Sequence, residues 1–374
     1  MKIKYTGMAR DYSGYGEACR HDIGALVEAG VQVTTQIPSY VLENTDFGKL
    51  GNLATSLENN PLGYRIKILH TTPNVYTQFM EPNIYHIARA FWETDKVPPD
   101  FAQNIELCNE VWTGSEYNAQ AMRNAGVTKP IYIIPEAIDV TTGEIEPYLP
   151  PETRYSFYSV FEWTERKNPS ALINAYWRTF TEKDNVRLVI KTYIDNFQKD
   201  KKDELMNLIK REKKLANLPY YPPLYVFRQL MDRRQMYRFH KTFDCFVSTH
   251  RGEGWGVPQM EAMLMGNPII STNCGGIHEY LENGKQGLLI PYTKEKVENT
   301  RNKQWYLPDQ NWASVDMELM QKAMRYAYEH QDIMKKMGTC ARDTTIDKFG
   351  LLPVGKKMLE RLTIIQKNLE PSIV

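Results

Sequence analysis

A mainly apolar segment that runs straight into a glycine-rich loop constrains the fold of this chain more than any other feature. Residues 243–247 are typical of a strand buried on both faces, as in a parallel sheet. Residues 251–256 contain three glycines, which let the backbone turn sharply and approach a ligand closely. Pro258 suits the first turn of a helix and Gly266 the position just past its end. This order predicts a strand, a loop and a short helix over residues 258–265, as in an α/β sheet.

The same loop and helix predict a binding site for a phosphate or pyrophosphate. A helix N-terminus offers N–H groups and the positive end of a dipole, which together favour an anion. Glu253 lies in the loop and Glu261 in the helix, with seven residues between them. Because carboxylates repel phosphate, we expect these two to accept hydrogen bonds from sugar or ribose hydroxyls instead.

The spacing Glu253-x7-Glu261 resembles the double-glutamate motif of retaining nucleotide-sugar glycosyltransferases, in particular glycosyltransferase family 4. Residues 268–279 resemble that family's next strand and its Gly-Gly-x-x-Glu segment, and residues 283–289 resemble the turn and strand that follow. The resemblance implies an α/β fold of two Rossmann-like domains facing across a cleft, which is the GT-B architecture. It also implies a hexosyltransferase that retains the anomeric configuration.

The resemblance implies roles for individual residues. Lys167 falls at the family's lysine, which neutralises the leaving diphosphate. Phe161 and Glu162 occupy the positions where many members carry an arginine, so Arg166 is a substitute by proximity only. The implied catalytic residues are Glu253, Lys167 and Arg166. The implied donor-binding residues are Gly16, Gly254, Trp255, Gly256, Val257 and Glu261.

Gly14-x-Gly16 comes between a predicted strand, residues 3–6, and a predicted helix, residues 17–29. This order is typical of the opening of a doubly wound α/β domain. The pair of glycines resembles the family's N-terminal glycine loop, although two glycines before a helix also serve as a simple turn. The segment lacks the third glycine of the dinucleotide fingerprint, which disfavours NAD chemistry.

Two residues of the first domain are acceptor-side candidates. His70 ends a predicted strand, and ligands of open α/β sheets bind beyond the carboxyl ends of strands. The alternative is a histidine satisfied by neighbouring backbone groups. Glu93 and Trp92 lie in residues 90–98, which resemble one branch of the family. An aromatic wall for sugar stacking and an ordinary core position both remain open for Trp92.

The length of 374 residues predicts two domains. Residues 141–151 are rich in proline and polar residues and predict the linker. We therefore expect an acceptor domain over residues 1–145 and a nucleotide-sugar domain over residues 146–350. The resemblance implies that the helix in residues 351–374 packs back on the first domain.

Composition narrows the choice of partners. The net charge of +1 gives no basic field, so nucleic acid is a possible partner that the charge does not favour. The five cysteines form no Cys-x-x-Cys pair, and no apolar run reaches the ~18 residues of a membrane span. A cytoplasmic protein is the resulting expectation.

The family needs no metal and the chain has no clear Asp-x-Asp, so we expect no cofactor beyond a nucleotide-diphosphate sugar as co-substrate.

Several functional questions stay open at the level of sequence. The family's habit favours UDP over GDP as the nucleotide, and a saccharide or glycoconjugate is the default acceptor. A hydroxymethylated nucleic-acid base is another acceptor that offers a hydroxyl. The changed arginine position leaves room for a catalytically weak sugar-nucleotide or glycan-binding protein of the same fold. A sugar-nucleotide epimerase is disfavoured, because its acid and base residues are not evident at matching places.

Overall fold

The computed structural model describes residues 1–38, 47–141, 143–194, 201–298 and 300–370. The chain divides into two compact units, Met1–Thr141 with Thr345–Val374, and Thr142–Thr344. Thr142 of the predicted linker and residues 371–374 of the predicted C-terminal helix lie outside the described residues.

The first unit is built on a parallel sheet of six strands in the order β2-β1-β3-β4-β5-β6. All residues of β3 and β5 are buried, as expected for strands covered on both faces. The strands are β1 (Lys2–Gly7), β2 (Gln32–Gln36), β3 (Ile66–His70), β4 (Tyr85–Arg89), β5 (Glu110–Thr113) and β6 (Ile131–Ile133).

Helices alternate with these strands. They are α1 (Gly14–Glu28), α2 (Gly48–Ser56), α3 (Pro99–Glu106) and α4 (Glu116–Asn124). Helix α1 begins three residues earlier than predicted, because the Ser13 side chain caps it by accepting from the Gly16 N–H at 3.4 Å. Gly16 therefore lies in the first turn of the helix and not in the preceding loop.

The second unit repeats the plan with six parallel strands in the order β12-β11-β10-β7-β8-β9. They are β7 (Tyr155–Glu162), β8 (Val186–Tyr193), β9 (Leu224–Phe227), β10 (Cys245–Ser248), β11 (Ile269–Thr272) and β12 (Gly287–Ile290). An antiparallel pair follows, β13 (Tyr292–Lys296) and β14 (Asn311–Val315). Two parallel sheets with alternating helices confirm the predicted α/β class.

The helices of the second unit are α5 (Pro169–Thr179), α6 (Lys201–Ala216), α7 (Arg233–Thr242), α8 (Val257–Leu264), α9 (Met317–Glu329) and α10 (Gln331–Phe349), within which the unit boundary falls. Helix α7 opens with a capping box. The Asp232 side chain accepts a hydrogen bond from the Gln235 N–H, and the Gln235 side chain accepts one from the Asp232 N–H. This cap fixes the start of the helix that carries Arg233 and His240.

The last helix, α11 (Leu351–Leu369), belongs to the first unit and packs on α1. A Cβ added at Gly355 would lie 2.0 Å from the Ala25 carbonyl oxygen, so glycine permits the close approach of the two helices. Arg361 of α11 donates from both Nε and Nη2 to the fully buried Glu110 carboxylate, at 3.1 and 2.5 Å. The helix is thus fixed by close packing on one side and by an ion pair on the other.

Candidate active site

The loop between β10 and α8 has the form that the glycines of the sequence predict. Gly256 is the N-cap of α8 with φ +106°, a backbone conformation that residues other than glycine rarely adopt. Pro258 follows in the first turn of the helix. A glycine cap supplies no side-chain acceptor to the N–H groups of the first turn. The N-terminus of α8 therefore keeps the character of an anion site.

A pair of glycines after β11 holds this loop in place. An ideal Cβ at Gly275, where φ is +91°, would lie 2.2 Å from the Glu253 carbonyl oxygen. The Gly276 N–H donates to the same oxygen at 3.1 Å, and a Cβ at Gly276 would lie 2.4 Å from the Gly254 carbonyl oxygen. Only glycine at both positions allows the two loops to approach this closely.

The structure brings together the three residues predicted to be catalytic. Lys167 ends a short 3-10 turn after β7, and its Nζ forms an ion pair with Glu253 Oε2. Arg166 Nη1 lies 3.6 Å from Glu253 Oε1 and donates to the Gly252 carbonyl oxygen at 2.9 Å. The Arg251 N–H also donates to the Arg166 carbonyl oxygen at 2.7 Å, so the two segments are joined by backbone as well as by charge.

Electrostatics keep Glu253 ionised. Burial by itself would raise the pKa of this carboxyl, but the charges of Lys167 and Arg166 outweigh it and lower the pKa to about 2. A carboxylate is therefore present at any physiological pH, and it can only accept hydrogen bonds.

His250 is a site residue that the sequence reasoning missed. It is fully buried, with Nε2 at 2.9 Å from the Cys274 carbonyl oxygen and Nδ1 at 2.9 Å from Ser248 Oγ. A carbonyl only accepts, so Nε2 carries the proton and Nδ1 accepts from the serine. Burial lowers the pKa of His250 to about 4, which leaves a neutral ring beside Glu253. Its place directly after a buried strand is the signal that could have identified it.

Glu261 lies on α8 and is buried between two groups of α7. Arg233 Nη1 forms an ion pair with its Oε1, and His240 Nε2 lies 3.2 Å from its Oε2. Burial lowers the pKa of His240 to about 3, and the charges of Arg233 and Lys191 add to the shift. No sequence motif identifies these partners, which precede Glu261 by more than 20 residues.

The other predicted donor-binding residues of this unit lie in the glycine loop and at the start of α8. Trp255 is buried, with its ring 5.1 Å from the Tyr280 ring, and its carbonyl oxygen accepts from the Tyr280 hydroxyl at 2.9 Å. Gly254 and Gly256 flank it, and Val257 is the first residue of α8. Trp255 thus fixes the loop from the inside.

In the first unit, His70 lies inside a network of buried polar groups at the end of β3. Its Nδ1 is 2.5 Å from the Tyr5 hydroxyl, which donates to Asp22 Oδ2 at 3.1 Å, and Arg89 Nε donates to the same oxygen at 2.8 Å. Burial, followed by the charge of Arg89, lowers the pKa of His70 well below its usual value. Its Nε2 has no hydrogen-bond partner among the described residues.

The remaining residues of the first unit are placed as follows. A Cβ at Gly16 would lie 2.2 Å from the Asp11 carbonyl oxygen, so glycine permits the tight turn into α1. Glu93 is half-buried, and its carbonyl oxygen accepts from the Tyr117 hydroxyl at 3.3 Å. Trp92 is a core residue, 3% exposed, whose Nε1 donates to Thr94 Oγ1 at 2.6 Å.

Two features are absent from the part of the chain that the structure describes. No group of three or more His, Cys, Asp or Glu side chains in that part of the chain has the geometry to hold a metal ion. Across the same residues, no helix combines the length and hydropathy required to cross a membrane.

Comparison with known proteins supports a specific class for the second unit. Residues 142–307 match the family model described as glycosyl transferases group 1. This match begins where the second unit begins and includes Lys167, Glu253 and Glu261. No curated protein sequence matches the chain.

Solved structures show that the whole chain has the GT-B fold. Sucrose-phosphate synthase from Thermosynechococcus elongatus is 14% identical, with a TM-score of 0.70 over 98% of this chain and 100% of that chain. Anabaena HepE, solved with UDP and glucose, is 15% identical, with a TM-score of 0.66 over 97% of this chain and 100% of that chain. TarM from S. aureus is 16% identical, with a TM-score of 0.58 over 79% of this chain and 54% of that chain. The chain therefore has a GT-B fold, and residues 142–307 of its second unit match the model of glycosyl transferases group 1.

Proposed function

We propose that this protein is a retaining, metal-independent glycosyltransferase that moves a hexose from a nucleotide-diphosphate sugar to a hydroxyl acceptor. The observation that carries the proposal is the grouping of Lys167, Arg166 and Glu253 beside the N-terminus of α8. Two cations and a helix N-terminus suit a diphosphate, and a permanently ionised carboxylate suits sugar hydroxyls. The UDP and glucose held by HepE, which has the same fold, favour a UDP-sugar as donor.

The role of each site residue in the proposed reaction follows from its charge. Catalysis of such a transfer is mainly positioning and stabilisation of negative charge on the leaving diphosphate. Lys167, Arg166 and the backbone of residues 254–256 stabilise that charge. Glu253 accepts from the hydroxyls of the sugar, and Glu261 accepts from those of the ribose.

The bond changes balance without a protein nucleophile. The bond from the anomeric carbon to the diphosphate oxygen breaks while the acceptor oxygen bonds to the same face of that carbon. The proton of the acceptor hydroxyl passes to a donor phosphate oxygen, and the nucleoside diphosphate leaves. This differs from a retaining glycosidase, which uses a close pair of carboxylates.

The acceptor is proposed to be a saccharide or glycoconjugate, with His70 and Glu93 on its side of the reaction. TarM was solved with UDP and a GlcNAc-glycerol, which is the kind of product that such a reaction gives. The near-neutral charge of the chain favours a saccharide over a hydroxymethylated nucleic-acid base.

The second candidate function is sugar-nucleotide or glycan binding without efficient transfer. It is favoured by the absence of the family arginine, whose two possible positions hold Phe161 and Glu162 in this chain. Arg166 lies near Glu253 in addition to Lys167. Its contribution to stabilising the leaving diphosphate therefore distinguishes efficient transfer from binding alone.

A panel of UDP- and GDP-sugars tests the proposal through thermal shifts and slow donor hydrolysis. We expect one donor to stabilise the wild type and to be hydrolysed, and both effects to be lost in Glu253→Ala. The matched control is Glu318→Ala, which removes an exposed carboxylate on α9. Stabilisation without hydrolysis or transfer would favour the binding function. If no nucleotide sugar raises the melting temperature, the transferase proposal is wrong and glycan binding becomes the leading candidate function.

A further inference from the structure

A line of buried polar groups leads from the core of the second unit to Glu261. The Asn267 amide nitrogen donates to the Tyr158 hydroxyl at 2.7 Å and to the His240 carbonyl oxygen at 2.6 Å. The Tyr158 hydroxyl lies 2.9 Å from His240 Nδ1, and His240 Nε2 lies 3.2 Å from Glu261 Oε2. All four residues are buried, and Tyr158 and His240 are fully inaccessible.

The hydrogen bonds of this line run in one direction. Because the Tyr158 oxygen accepts from Asn267, its own proton is available to His240 Nδ1. His240 then carries its single proton on Nε2 and donates it to the Glu261 carboxylate. Burial lowers the pKa of His240 to about 3, so the ring stays neutral and keeps this tautomer at physiological pH.

Glu261 is thus held at both oxygens, by His240 at Oε2 and by Arg233 at Oε1. A carboxylate has about four lone-pair sites, so each oxygen can still accept another hydrogen bond. Two fixed acceptors on a short helix match the two neighbouring hydroxyls of a ribose.

We infer that His240 is a positioning residue for ribose recognition, and that its Nε2–H orients the Glu261 carboxylate toward the 2′- and 3′-hydroxyls of a nucleotide. The inference rests on the proposed function, in which Glu261 binds the ribose. His240 itself touches no ligand and acts through Glu261. The residues that orient metal ligands set a precedent for the size of such effects, since their loss typically costs 10–100-fold in affinity.

The test compares UDP with 2′,3′-dideoxy-UDP by titration calorimetry, because only a role in ribose recognition changes the ratio of their affinities. We expect the wild type to bind UDP about 10–100-fold more tightly than the dideoxy analogue, which is the size expected when a hydrogen bond to a charged group is lost. The ratio should approach one in Glu261→Gln and His240→Ala. It should recover in part in His240→Gln, whose amide can donate to Glu261. Affinity for the dideoxy analogue should be the same in all of these proteins.

Two further variants complete the design. Tyr158→Phe keeps the imidazole but removes the proton donor to Nδ1, so it should lower the ratio even if His240→Ala fails to fold. His330→Ala replaces an exposed histidine at the end of α9 and should leave the ratio unchanged.

The outcomes separate this inference from the proposed function. If the His240 and Tyr158 variants bind UDP and keep the wild-type ratio, or lose both ligands equally, the inference is overturned while the proposed function stands. If the wild type binds no UDP, the proposed donor site is overturned and the inference falls with it.

Discussion

Asp22 in the first unit and Glu253 in the second are both buried carboxylates beside an arginine, yet burial and charge balance differently at each. Burial raises the pKa of Asp22, although the ion pair with Arg89 opposes the shift. At Glu253 the burial effect is outweighed by Lys167 and Arg166, which bring the pKa down to about 2. The number of cations around each carboxylate decides the direction.

The surroundings explain what each arrangement is for. Arg89 also donates to the carbonyl oxygens of Ile134 and Pro135, at 2.5 and 3.0 Å. It therefore links the end of β4 to the residues that follow β6. Lys167 and Arg166 converge instead on a glycine loop at a helix N-terminus. We interpret the Asp22–Arg89 pair, which joins α1 to the end of β4, as stabilising the fold, and we propose that the surplus of positive charge at the glycine loop forms the donor-binding site. Four predictions test this distinction.

The largest effect is expected for Arg89→Met in the first unit. The substitution leaves Asp22 buried without its cation and two carbonyl oxygens without a donor. Removal of one partner from a buried ion pair typically costs about 3–5 kcal/mol, and urea unfolding measures the loss. The double variant Arg89→Met/Asp22→Asn should recover part of it. A loss below about 1 kcal/mol would contradict a structural role for the pair.

A pH effect of up to about 3 kcal/mol is expected from Glu253. Its pKa falls from 4.5 to about 2 on folding, so its contribution is present above pH 4.5 and is lost as the pH falls toward 2. The stability difference between wild type and Glu253→Gln should therefore shrink by about 1.4 kcal/mol per pH unit below 4.5. Urea unfolding between pH 5 and 3 measures it. Glu318→Gln, at an exposed ion pair, should show no such trend.

Glycine at 275 is expected to matter through contact as well as backbone conformation. Gly275→Ala places a Cβ against the Glu253 carbonyl oxygen, whereas Gly284 has a similar φ of +81° and nothing within 4 Å of an added Cβ. Strain of the backbone costs about 1–3 kcal/mol at either position, and the clash adds about 1–3 kcal/mol at Gly275 only. The difference in unfolding free energy between Gly275→Ala and Gly284→Ala measures the added cost at Gly275, which includes the clash. Equal losses would show that the loop adapts without cost.

The sequence predicted those parts of the site that depend on local order. The buried strand, the glycine loop and the helix over residues 258–265 agree with β10, the loop and α8 to within one or two residues. Glycine and proline carry this information because each acts on the backbone at its own position. Glycine allows conformations that other residues rarely adopt, and proline restricts φ.

What the sequence did not predict depends on packing between distant segments. His240 and Arg233 reach Glu261 because α7 packs on α8, and no spacing along the chain reveals that contact. The partners of His70 were not predicted either: Tyr5 and Arg89 come from the two strands beside β3 and form a buried network with His70 and Asp22. Burial of a polar residue is a property of its neighbours and not of its own segment.

The smallest effect is expected at an ion pair on the surface of the second unit. Arg301 Nη2 donates to Glu204 at 2.9 Å, and its Nε lies 3.8 Å from Glu165, which precedes Arg166 and Lys167. The Arg301 side chain is 41% exposed, so water and salt screen both contacts. Arg301→Ala should lower the free energy of unfolding by less than about 1 kcal/mol, and 1 M salt should remove most of that difference. Lys303→Ala, also exposed, is the matched control and should have no effect. If the loss of unfolding free energy in Arg301→Ala persists in high salt, a surface charge stabilises the turn that carries Lys167. Burial would then not be what distinguishes the carboxylates that stabilise the protein from those that do not.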